Sequence, residues 1–200
     1  DIFVTNGYRK YALDNDSRIR IDKTKKDYNN KVPIEIKKKL YNELPSEKLS
    51  NIMYKNEGNL NFKEIGNDSK LLEPSFSNGA SYADLDNDGD LDIVVNNIDE
   101  NAFLYQNLSV ENKIGNFLKI KLEGKLSETF AKVTIYFKDK SRKKESKRVR
   151  GYLSAVDNSV HFGLGKVTKI DSVLIEWNSR EKEVLYDIDA NQNIIVKQSN

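Results

Sequence analysis

Cysteine is missing from this 200-residue sequence, which excludes disulfides, thiol catalysis and thiolate metal sites together. The compartment stays open, because exported proteins also go without cysteine. Histidine occurs once, at His161, so any Ser-His-Asp arrangement would have to be built on it. No G-x-S-x-G motif accompanies it, and a structural, hydrogen-bonded histidine is the reading. No apolar run approaches the ~20 residues of a membrane span, and the opening residues do not read as a secretory leader. A one-signed charge is also lacking. Lys and Arg number 33 against 31 Asp and Glu, so overall charge calls for no nucleic-acid partner. Gly163-x-Gly165 does not open a helix, and a nucleotide-binding fingerprint is not supported.

What is present suits a folded chain of one large or two small domains. Hydrophobic residues make up 38% and aromatic ones 10%, too much for a disordered segment. The chain opens on Asp1-Ile2-Phe3-Val4-Thr5-Asn6-Gly7, which reads as a strand entered midway, and we expect it to be part of a longer protein. That strand resembles Asp92-Ile93-Val94-Val95-Asn96-Asn97, an internal repeat signal.

Residues 8–30 are polar and lack periodicity, so they read as an exposed excursion. Over 32–45, Pro33 suits a first helical turn, Ile36, Leu40 and Leu44 recur every four residues, and Pro45 stops the run. One helix is expected there. Beyond it the pattern turns β. Strands near 51–56 and 60–65 flank the hairpin turn Glu57-Gly58-Asn59, and others follow near 80–85, 91–96 and 102–106. After a turn-rich stretch, 109–115, short strands are expected near 117–122, 130–137, 148–155, 160–163, 172–177, 183–186 and 193–197. Their spacing points to a compact β-sandwich or barrel.

The densest chemistry lies in Asp84-Leu85-Asp86-Asn87-Asp88-Gly89-Asp90-Leu91-Asp92. Asp84, Asp86, Asp88 and Asp92 stand at positions 1, 3, 5 and 9, with Gly89 at position 6. Such crowded carboxylates call for a hard cation, and Ca²⁺ takes six to eight oxygens in flexible geometry. Gly89 permits the sharp turn. Asp90 would offer its backbone carbonyl with its side chain outward, and Asp92 would close the cage. An EF-hand is rejected, because position 12 is Val95 within a β segment and no Glu stands there. Mg²⁺ fits less well, since it demands stricter octahedral geometry.

The segment from Pro74 to Asp92 resembles an FG-GAP/VCBS repeat, the blade unit of a β-propeller, whose aspartate loop binds Ca²⁺. Residues 51–65, with Tyr54-x-Asn56 and Phe62, resemble the outer hairpin of a preceding blade. The C-terminal third, with Arg150-Gly151-Tyr152-Leu153-Ser154, His161-Phe162-Gly163-Leu164-Gly165 and Val173-Leu174-Ile175-Glu176-Trp177, resembles the ASPIC/UnbV domain of cartilage-acidic-protein-like proteins. Two positions depart from that pattern. Its Gly-Ala is Phe130-Ala131 here, and its Trp-Pro-x-Gly turn reads Trp177-Asn178-Ser179-Arg180.

These resemblances imply a mainly β chain: partial β-propeller blades with a helical insertion, then a β-sandwich-like C-terminal domain. The expected domains are 1–108, with the insertion at 8–50, and 116–198. The expected function is a calcium-stabilised binding module of a larger cell-envelope protein, recognising a protein or glycan, at the outer-membrane surface or in the periplasm of a Bacteroidetes-like bacterium. No catalytic set is assigned. The alternatives are a polysaccharide-active propeller with catalytic residues upstream, and an assembly scaffold for an outer-membrane complex. The basic stretch 138–150 reads as a solvated hairpin that discourages edge aggregation. Trp177 reads as core, because it ends an alternating segment.

Overall fold

The computed structural model describes residues 1–11, 14–65, 71, 73–124, 129–151 and 154–199. The fold is mainly β, with several sheets and two short helices among the described residues. No helix among them is long and apolar enough to cross a membrane. The chain divides into two compact units, Asp1–Gly79 with Val95–Ala102, and Ala80–Val94 with Phe103–Asn200. The aspartate loop therefore lies in the same unit as the C-terminal strands.

In the first unit, β1 (Ile2–Val4), β2 (Ile52–Gly58) and β3 (Asn61–Glu64) form an antiparallel sheet in that order. The β2–β3 hairpin turns through Gly58, Asn59 and Leu60, all at positive φ. The helix expected over 32–45 is α2 (Ile34–Glu43), with Pro33 at its N-cap and Leu44 already extended.

The excursion expected at residues 8–30 is mostly exposed where described, but it is corrected in one respect, because Asn15–Asp27 form a helix, α1. Its polar faces carry almost no apolar periodicity, so packing does not announce it. Its ends do. The Asp14 carboxylate caps the first turn by accepting from the Ser17 N–H at 2.7 Å. Asp16 lies in the first turn and Lys25 and Lys26 in the last, matching the helix dipole.

Apolar burial is thin in this unit, where Val95 is the one buried hydrophobic among the described residues. A polar network stands in its place. The Ser77 hydroxyl accepts from Asn51 Nδ2 and donates to Asn97 Oδ1, both at 2.9 Å. Its proton is thereby used, so Ser75 must donate to it across their 2.7 Å contact. Buried hydroxyls and amides matched in this way avoid the penalty of unpaired polar atoms.

The strands β4 (Ser77–Ala83), β5 (Asp92–Asn97) and β6 (Phe103–Tyr105) form a three-stranded sheet in that order, and the aspartate loop joins β4 to β5. In the second unit, β7 (Asn116–Glu123), β8 (Lys132–Phe137), β9 (Lys140–Glu145), β10 (Val160–Gly165), β11 (Lys169–Glu176), β12 (Lys182–Asp189) and β13 (Gln192–Lys197) build two sheets. Their orders are β10-β7-β13 and β12-β11-β8-β9. Period-2 alternation supplies one core. Leu118, Ile120 and Leu122 of β7 join Val133, Ile135 and Phe137 of β8, Val160, Phe162 and Leu164 of β10, and Val173 and Ile175 of β11. The arrangement is sandwich-like. Trp177 is buried in the same cluster, as its alternating segment predicts.

The strand expected at 148–155 is reduced to a single bridge between Val149 and Ala155, and residues 152–153 of that expectation lie outside the described residues. Both departures from the ASPIC/UnbV pattern fall on left-handed backbone. Phe130 stands at φ 63° and Arg180 at φ 74°, each where the pattern has glycine. Hydrogen bonds hold both turns. The Phe130 N–H donates to Ser146 O at 2.8 Å, and the Arg180 N–H to Trp177 O at 3.0 Å.

The basic hairpin makes contact at a sheet edge. β9 is an edge strand, as is β10 of the other sheet. Lys144 Nζ donates to the His161 carbonyl at 2.6 Å, and the Arg142 guanidinium donates to the Gly163 carbonyl. Residues two apart on one strand thus cap carbonyls two apart on the other. The cations satisfy an edge that a foreign strand would otherwise pair with. Burial, first of all, pushes Lys144 below its ordinary value, with repulsion from Arg150 and Arg142 adding to it.

Candidate metal centre

The loop between β4 and β5 is wound by its own carboxylates. Asp84 Oδ1 accepts from the Gly89 N–H at 3.3 Å, Asp86 Oδ1 from Asp88 at 3.4 Å, and Asp88 Oδ1 from Asp90 at 3.0 Å. Asn87 and Gly89 take positive φ, which lets alternate side chains turn to one side. One carboxylate oxygen from each of Asp84, Asp86 and Asp88 comes within 4.8 Å of the others, and the three can hold a metal ion.

Asp92, expected to close the cage, stands outside that convergent group of three. It is 2% exposed, its Oδ2 accepts from the Leu85 N–H at 3.0 Å, and its Oδ1 accepts from the Asn107 N–H at 2.9 Å. It clamps the loop shut and ties it to the end of β6. Asp90 departs from the expectation of an outward side chain. It is 6% exposed, and its Oδ2 accepts from the Val110 N–H at 3.0 Å. The backbone N–H of a later segment draws the carboxylate inward, and spacing within the loop carries no sign of that.

Two carboxylate oxygens of the loop are left uncompensated. Asp88 Oδ2 and Asp90 Oδ1 are buried with no hydrogen-bond partner among the described residues. The Asp90 N–H favours the Asp88 carboxylate, yet burial and the neighbouring Asp90, Asp86 and Glu111 together push Asp88 above its ordinary value. Burial does the same to Asp90, reinforced by Asp92 and Glu111 and opposed by the Val110 and Ser109 N–H groups. Orphaned oxygen atoms beside like charges fit a hard cation, which supplies what is missing. The donor set is all oxygen. An ion held by Asp84, Asp86 and Asp88 would supply positive charge to the turn, while the chain's own clamps set the carboxylates in place.

Sequence reasoning missed the surface against which the loop is seated. His161 and Lys119 are cross-strand neighbours on β10 and β7, on the face away from the core. Lys119 Nζ lies 3.1 Å from Asp84 Oδ2, neutralising one of the acids. His161 Nε2 lies 2.8 Å from the Gly89 carbonyl. A carbonyl only accepts, so Nε2 carries the proton. Burial, chiefly, lowers the His161 pKa, with Lys144 and Lys119 adding to it and the Gly89 carbonyl and Asp84 opposing. The ring stacks on Phe117, with centroids 5.9 Å apart. Phe117 in turn presses on Gly89, where an added Cβ would fall 1.9 Å from its Cε1. Gly89 is therefore required twice, by its φ of +104° and by this contact. A cavity of about 40 Å³ adjoins Asp84, Lys119, Lys144, Asp157 and His161, with room for two or three waters.

The clamp of Asp92 occurs twice in the molecule. In the first unit, Asp1 Oδ1 accepts from the Asn56 N–H at 2.8 Å. Asp1 aligns with Asp92, and Asn56 in Tyr54-x-Asn56 aligns with Asn107 in Tyr105-x-Asn107. In both segments an aspartate carboxylate thus accepts from an asparagine N–H.

Comparison with known proteins bears on the C-terminal part. The family model for ASPIC and UnbV matches residues 130–200. No curated protein matches the chain.

Proposed function

We propose that this chain is a calcium-stabilised binding module of a larger extracytoplasmic protein, which holds a protein or glycan partner at the cell envelope and performs no turnover. The observation that carries the reading is the group Asp84, Asp86 and Asp88, whose oxygens converge while Asp88 Oδ2 lies buried without a partner. Calcium is the ion of choice. It accepts an all-oxygen set in flexible geometry, and millimolar calcium outside cells loads even a weak site.

In this reading residues 1–108 are FG-GAP/VCBS propeller blades with the insertion 8–50, and 116–198 are an ASPIC/UnbV domain. The repeated Asp–Asn clamp supports the blade repeat, and the family match supports the second domain. Exposed Ile2, Val4 and Phe62 on the β1–β3 sheet favour further protein packed beside it. The one histidine is committed to the Gly89 carbonyl, which favours binding over general-base chemistry. The expected location is the outer-membrane surface or the periplasm.

The test is capture. Immobilised chain in millimolar calcium is exposed to solubilised bacterial envelopes and to a glycan array, and a partner retained with calcium and released by chelator is the expected result. Robust glycan hydrolysis by the purified chain overturns the reading.

A further inference from the structure

We propose that Glu111, with Asp88 and Asp90, forms a second divalent-cation position beside the one on Asp84, Asp86 and Asp88. This rests on the reading of the loop as a metal centre and extends it to a residue outside the loop. One ligand atom from each of Asp88, Asp90 and Glu111 lies within 4.8 Å of the others. Asp90 supplies the independent sign of a ligand. Its side chain is almost wholly buried, one oxygen holds the Val110 N–H, and the other has no partner among the described residues.

The chain delivers Glu111 by a short, fixed route. The Asn112 N–H donates to Leu108 O at 3.1 Å, and the Ile114 N–H donates to Ser109 O at 2.9 Å, winding 108–114 into a tight turn. Asp90 grips that turn at Val110, the residue before Glu111. The grip sets the glutamate beside the loop.

Charge favours a second ion. Asp84, Asp86, Asp88, Asp90, Asp92 and Glu111 gather here, and among the described residues Lys119 is the ammonium paired with them. One dication leaves the group strongly negative, whereas two leave it nearly neutral. The oxygens also divide in two. Asp84 and Asp86 are engaged by Lys119, by Gln106 at 2.9 Å and by loop N–H groups. The orphaned oxygens belong to Asp88, which the two groups share, and to Asp90, which belongs only to the group with Glu111. Glu111 is exposed, so this position exchanges its ion readily and is the weaker of the two. Calcium suits it better than magnesium, because an open carboxylate set lacks strict octahedral geometry. When filled, it ties 108–114 to the loop.

The experiment is calorimetric titration of the 200-residue chain with Ca²⁺, alongside Glu111→Gln and Asp86→Asn, with circular dichroism to verify folding. The wild type is expected to take up two Ca²⁺ per chain in a tight and a weak step. E111Q keeps the tight step and weakens the other at least tenfold, while D86N impairs the tight step. Uptake of one ion, unchanged within twofold in E111Q, overturns the second position and leaves the loop reading intact. Loss of all uptake in folded E111Q means one centre that includes Glu111 and overturns the two-position form. No uptake by the wild type removes the loop reading and this proposal together.

Discussion

Gly89→Ala tests the seating of the aspartate loop at its tightest point. The substitution meets two separate penalties. Backbone at φ +104° disfavours any Cβ, at a cost of about 1–3 kcal/mol. The new methyl would also fall 1.9 Å from Phe117 Cε1 and 2.0 Å from its Cζ, and such overpacking costs roughly 1–3 kcal/mol. Phe117 cannot simply swing away, because it is stacked on His161, which is itself bonded to the Gly89 carbonyl. The middle of the combined range is about 4 kcal/mol, a large share of the 5–15 kcal/mol that holds a domain together. For a chain of this length it amounts to a melting-point fall of about 8–16 °C. Urea unfolding in calcium-free buffer measures it directly. The clash is isolated by repeating the substitution in a Phe117→Ala background, where only the backbone penalty should survive and the cost of G89A should roughly halve. An equal cost in both backgrounds, or a cost below about 0.5 kcal/mol in the wild type, refutes the contact as the reason for glycine.

Four further outcomes are expected. Calcium at 100 times its Kd should stabilise the chain by about 2.7 kcal/mol, and Asp88→Asn should abolish the gain in a thermal melt. Asp92→Ala strips the Leu85 and Asn107 N–H groups of their acceptor, so it should cost about 3 kcal/mol even in chelator, read by urea unfolding. Arg180→Gly relieves left-handed backbone and should stabilise by about 0.5–1 kcal/mol in the same assay, since the unfolded chain recovers part of the strain energy as entropy. His161 should titrate below its ordinary 6.5 by proton NMR. The unfolded chain then binds the proton more readily, so this residue's contribution to stability is intact above 6.5 and declines as pH falls toward the lowered value; His161→Gln should flatten that part of the profile.

Local patterns carried a good deal of this molecule. The β-rich character, the α2 helix between Pro33 and Pro45, and the alternating core strands of 117–122 and 172–177 follow from periodicity, because one face of each element must leave water. The aspartate spacing around Gly89 was equally legible, since a tight loop of alternate carboxylates needs only nearby residues to converge. Helix α1 stayed hidden, because its stability comes from caps and solvated charge and leaves no apolar stripe to read.

Other features were decided by residues distant in the chain. Asp90 turned inward because Val110 offers an N–H, and Asp92 became a clamp because Leu85 and Asn107 do the same. Glu111 reached the loop only through the turn that Asp90 grips. Lys119, Phe117 and His161 form its seat only because β7 pairs with β10 and brings them to one outer face. Spacing along the chain can nominate oxygen ligands, but which oxygens remain free for an ion depends on the donors that folding delivers beside them.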